Sequence, residues 1–153
     1  MYHKILIPTD GSPIAAASAR AGMRLAAEIG AEVIGLYVAP TYHYPVYIEV
    51  IPPTYPTEEE YEAVMQKTGE SYCEVMRQAA AADGLRFTGI TVFANPTAHA
   101  IVQTARTHGC DLIFIGSHGH GGWSELLLGS VTQKVVSISP VPVLVFRSEE
   151  TLA

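Results

Sequence analysis

Five short apolar runs alternate with four amphipathic helical patterns along this chain, and that alternation constrains the fold more than any other feature. The runs fall at residues 3–8, 32–38, 85–93, 112–115 and 141–146. The stretch Leu112-Ile113-Phe114-Ile115 has no polar position, so it reads as a strand buried on both faces. Strands separated by helices have crossover connections, and crossovers give a parallel sheet covered on both sides. Right-handed crossovers place a ligand crevice at the carboxyl ends of the strands. The chain has 153 residues, enough for one domain with a sizeable core, and shows no internal repeat.

Local signals set the helix ends. Ser12 reads as an N-cap with Pro13 at the first helical position. Ile14, Ala17, Ala21, Leu25 and Ile29 are expected to share the buried face, and Gly30 ends the helix. Thr57 and Glu60 form a capping box for a helix carrying Tyr61, Val64, Met65, Thr68, Tyr72, Val75, Met76 and Ala79 as far as Gly84. Asn95-Pro96 opens a third helix, with Ala98, Ile101, Val102 and Ala105 inward and Gly109 at its end. Val131, Val135 and Ile138 mark the fourth. Pro140 and Pro142 make the last strand, Val141–Phe146, an edge strand or one with special pairing. Residues 39–56 form a loop rich in proline, with Tyr42, Tyr44, Tyr47 and Tyr55. It suits a cover for a ligand or partner, and equally a loose surface loop.

Composition excludes several classes. Apolar residues make up 48% and charged residues 16%, as in a folded protein and unlike a disordered one. A net charge of −6 without any run of Lys or Arg argues against a nucleic-acid partner. No apolar stretch reaches the ~18 residues of a membrane span, and no apolar segment of signal-peptide type follows Lys4, so a cytoplasmic location is expected. Cys73 and Cys110 read as reduced, mostly buried thiols.

One stretch is hard to explain by packing. Gly116-Ser117-His118-Gly119 follows the buried strand, and nine residues later Gly129-Ser130 opens the next helix. Glycine permits positive φ and close approach of a ligand to the backbone, and a helix N-terminus adds N–H donors and partial positive charge. The combination suits a phosphate; it also fits a glycine-rich loop without a ligand. No lysine lies between Gly116 and Ser130, so this is no Walker A loop, and Ser124 stands where a dinucleotide fingerprint starting at Gly119 needs its third glycine. His118 and His120 have too few neighbouring ligands for a structural zinc, and read instead as a solvated or phosphate-contacting pair. Ser117 and Ser124 have no evident base for nucleophilic catalysis, and Trp123 suits partial burial or stacking.

With Gly-x-x-Gly, nine residues, and Gly-Ser in this order, together with Lys4-Ile5-Leu6-Ile7-Pro8-Thr9-Asp10-Gly11-Ser12 and Pro140-Val141-Pro142-Val143-Leu144-Val145, the chain resembles the universal stress protein family, most of all its ATP-binding branch. The resemblance runs from Tyr2 to Arg147, which makes 1–147 one nucleotide-binding domain and 148–153 a tail. It implies a single-domain α/β fold: an open, Rossmann-like, parallel five-stranded sheet of order 3-2-1-4-5 with helices on both faces. It implies that Gly116, Gly119, Gly129, Ser130 and Val131 wrap phosphates and ribose, that Pro8, Thr9 and Asp10 line the opposite side with Asp10 reaching the ribose or Mg²⁺, and that Val38 meets adenine. ATP with Mg²⁺ is the implied ligand, and a homodimer through Val141–Phe146 the implied assembly. Two departures stand out. Phe93-Ala94-Asn95-Pro96 lacks the glycine that often precedes this proline, and the loop lacks the basic residues common in relatives. Lys134, one turn past Ser130, is the nearest cation in sequence. The expected role is a nucleotide-dependent regulatory module in stress response with at most slow hydrolysis. The alternatives are a nucleotide-free dimeric interaction protein of the same fold and a weak ATPase or phosphotransferase.

Overall fold

A computed structural model describes residues 1–118 and 127–148. Along them run β1 (Lys4–Thr9), α1 (Pro13–Ile29), β2 (Glu32–Ala39), α2 (Glu58–Ala82), β3 (Phe87–Phe93), α3 (Thr97–Thr107), β4 (Leu112–Gly116), α4 (Ser130–Ile138) and β5 (Val143–Phe146). The strands form one parallel sheet in the order β3-β2-β1-β4-β5, the order the family resemblance implies.

Side chains alternate across a strand, so a central strand must be apolar at every position to satisfy two cores. Ile5, Ile7, Val33, Leu112 and Phe114 serve one core, which α1 and α2 cover through Ala19, Met23, Ala26, Met76 and Ala80. Leu6, Ile34, Leu36, Ile113 and Ile115 serve the other, covered by α3 and α4 through Ala98, Ile101, Val102, Ala105 and Val135. This is why the β4 run has no polar break.

The α1 ends are as expected. Ser12 Oγ accepts from Ala15 N at 3.1 Å, Pro13 follows it, and Gly30 closes the helix at φ 71°. Its buried face is not the one expected. Ala15, Ser18, Ala19, Gly22, Met23 and Ala26 are buried, while Ile14, Ala17, Ala21 and Leu25 flank the contact and Ile29 is 41% exposed. Close approach to the sheet selects the small residues: a Cβ at Gly22 would lie 2.8 Å from Ile7 Cδ1. α2 shows a similar shift. Gly69, Cys73, Met76 and Ala80 are buried, and Val64 and Val75 are exposed.

β5 is an edge strand, paired only with β4. Both cysteines are buried and free, and burial pushes the Cys110 thiol up to about 11. Among the described residues no helix is long and apolar enough to cross a membrane.

Candidate functional site

β1 and β4 pair only at Ile5↔Leu112 and Leu6↔Ile113. Beyond that point β1 leads into α1 over one face of the sheet, and the chain after β4 leads to α4 over the other. The strands part, as at the switch point of any open α/β sheet. β2 also outruns β1: their pairing ends at Thr9↔Tyr37, whereas β2 and β3 continue to Ala39↔Phe93. The resulting cleft encloses about 300 Å³ at the carboxyl ends of β1, β2 and β4.

Pro8, Thr9, Asp10, Val38, Gly116, Gly129, Ser130 and Val131 all line it. Gly119, His120, Trp123 and Ser124 lie outside the described residues. Seven further residues line it, and of these sequence reasoning singles out only His118, as a solvated or phosphate-contacting side chain. Leu36, Ile101 and Ile115 give the cleft apolar walls, and Ala15, Thr97, His118 and Thr132 complete it. Leu36 and Ile115 were accessible as near neighbours of Val38 and Gly116 on their strands. Thr97 and Ile101 depend on how α3 crosses the sheet, for which the sequence has no local signal.

The Thr9–Ser12 turn is held by its own polar groups. Gly11 N donates to Thr9 Oγ1 at 3.1 Å, and Ser12 N donates to Asp10 Oδ1 at 2.9 Å. Gly11 has φ 76°, and the Tyr72 ring from α2 lies against its Cα. Tyr72 meets Tyr37 edge-on at 5.3 Å. Burial pushes the Tyr37 phenol up, and Tyr72, Tyr61 and the Asp10 carboxylate add to the effect.

On the opposite side, α4 is tied to the end of β4. Gly129 N donates to Ser117 O and Thr132 Oγ1 to Gly116 O, both at 2.8 Å. Gly129 is the N-cap and contributes no side chain, so no side-chain cap bonds the first N–H groups of α4. The expected positive φ does not occur at the loop's described glycines: Gly129 has φ −60°, and Gly116 is not among the positive-φ residues. At Gly116 the neighbours are close instead: a Cβ there would sit 3.3 Å from Ile14 Cγ2, a tight contact that a small shift of the Ile14 side chain would have to relieve.

His118 is not solvated. It is 7% exposed, Ser117 is 2% exposed, and Ser117 Oγ lies 2.9 Å from His118 Nδ1. Lys134 is exposed on α4 and does not line the cleft. The loop tyrosines do not line it either. Tyr42 packs against Tyr44, Tyr55 and Tyr61 at 5.1, 6.2 and 5.6 Å, and the Tyr42 hydroxyl donates to Pro56 O. Among the described residues, no three His, Cys, Asp or Glu side chains cluster to cage a metal.

The description of the universal stress protein family fits residues 1–147 of this chain. The chain belongs to the universal stress protein family. It is 34% identical over 152 residues to the universal stress protein YxiE of Bacillus subtilis, covering 96% of this chain and all of that protein. The solved structure of MJ0577 from Methanocaldococcus jannaschii is 31% identical, with a TM-score of 0.81 over 97% of this chain and 98% of that one. A universal stress protein from Archaeoglobus fulgidus, solved in complex with dAMP, shares the fold at 18% identity and a TM-score of 0.65, over 95% of this chain and 98% of that one.

Proposed function

We propose that this universal stress protein binds ATP with Mg²⁺ in the cleft at the ends of β1, β2 and β4, and acts as a nucleotide-dependent regulatory module of the stress response. The observation that carries the reading is the convergence of Asp10, Val38, Gly116, Gly129 and Ser130 on one cleft from four separate segments. The apolar side, Leu36, Ile101 and Ile115 with Val38, suits an adenine ring. The uncapped N-terminus of α4 suits phosphates, which need N–H donors and positive potential. The dAMP held by the Archaeoglobus fulgidus relative supports an adenine nucleotide as the ligand class.

Asp10 is the one carboxylate among the described residues lining the cleft, and it would hold Mg²⁺. One carboxylate plus substrate phosphates is a usual Mg²⁺ environment, and the ion would neutralise phosphate charge there. No Lys or Arg is among the described residues of the cleft, and phosphoryl transfer normally uses such cations. That supports binding with at most slow hydrolysis. The open edge of β5 supports a homodimer in which two copies pair across it. The composition supports a cytoplasmic setting.

Two measurements test this reading together: mass spectrometry of the supernatant after denaturing freshly purified protein, and calorimetric titration with ATP and Mg²⁺. Co-purified adenine nucleotide, or binding at roughly micromolar Kd, is expected. Neither nucleotide nor heat would favour the nucleotide-free interaction protein.

A further inference from the structure

We propose that His118 takes up a proton when a phosphate-bearing ligand enters the cleft, so that the affinity of this universal stress protein for nucleotide depends on pH. The proposal rests on the nucleotide-binding reading above and adds a charged contact to it. Among the described residues that line the cleft, His118 is the only side chain able to carry positive charge, and Asp10 is the only acid. The lining residues from α1, β2, α3 and α4 contribute no ionisable group. A nucleotide therefore brings at least two negative charges to a wall that already holds a carboxylate. The partial charge at the N-terminus of α4 offsets only part of that.

Imidazole is the side chain that changes charge near neutral pH. A phosphate beside the His118 ring favours the imidazolium, because charge-assisted hydrogen bonds to phosphate are strong. Ser117 Oγ, 2.9 Å from Nδ1 and itself buried, anchors the ring within the wall. The sign follows by linkage. The ligand raises the proton affinity of His118, so nucleotide binds more tightly at low pH. That advantage is lost as pH rises through the titration of the bound-state imidazole.

The test is calorimetric titration with ADP in EDTA, which removes any metal held through Asp10. It is run in two buffers of different ionisation enthalpy, for the wild type and for His118→Gln. The wild type should take up more protons per ADP bound than the variant. Its affinity should exceed the variant's by about tenfold near pH 6, with the gap closing towards about pH 8.5. Equal proton counts, or an affinity ratio independent of pH, would overturn the proposal. If the variant does not fold, as judged by its ligand-free melt, the wild type decides alone. At about pH 8 the ADP phosphates are already ionised, so uptake there must come from the protein and its absence rejects the idea. Absence of all binding in the wild type would instead remove the nucleotide reading on which it rests.

Discussion

Gly11 sits where the turn bearing Asp10 meets α2. Its φ of 76° is one that residues with a Cβ rarely adopt, and a Cβ there would lie 2.3 Å from Tyr72 Cζ. Gly11→Ala should therefore lower unfolding free energy by roughly 1–3 kcal/mol, from left-handed strain plus displacement of the Tyr72 ring. It should also weaken nucleotide binding, because the same turn carries Asp10. In a Tyr72→Ala background the steric part is already gone, so the penalty should be smaller. A double-mutant cycle in urea measures this, and strict additivity would show that Tyr72 is not the obstacle.

Among the elements, α4 contributes Ser130, Val131 and Thr132 to the cleft. Thr132 in its first turn donates to Gly116 O at 2.8 Å and is buried. Thr132→Val keeps the shape and removes the donor, leaving a buried carbonyl without that partner. A loss of about 1–3 kcal/mol in denaturant unfolding is expected, with a weaker grip on phosphate. Helix ends were legible in the sequence because capping is local chemistry. Glu60 N donates to Thr57 Oγ1 at 3.2 Å and Thr57 N to Glu60 Oε2 at 2.8 Å, the reciprocal pair that the residue spacing predicts. The buried face of α1 was not legible, because large Ile14 and Leu25 outweigh small Ala19 and Gly22 in any apolar pattern. The sheet, by contrast, selects the residues that allow close approach. The cleft divides the same way. Residues at strand ends and in the glycine signature could be read along the chain, whereas Thr97 and Ile101 enter it only through the crossing of α3 over the sheet.

For the whole molecule, the open edge of β5 bears on assembly. Ile113 N donates to Pro142 O and Ser117 N to Phe146 O, so these carbonyls face β4. By strand alternation, the backbone groups of Val143 and Val145 face the open edge. Their side chains pack on the core beside α3 and α4, so a charge at either would perturb the fold as well as an interface. Val145→Pro removes an edge N–H and leaves the β4 pairing in place. If the wild type is the proposed dimer, light scattering should then report a folded monomer for the variant; an unchanged mass would reject pairing through this edge. The cleft itself is tested most directly by a crystal structure of the protein grown with ATP and Mg²⁺. The base should lie against Leu36, Val38 and Ile101, with the phosphates at the N-terminus of α4 near Gly116, Gly129 and Ser130. Nucleotide bound elsewhere on the surface, or an empty cleft at saturating ATP, would contradict the account.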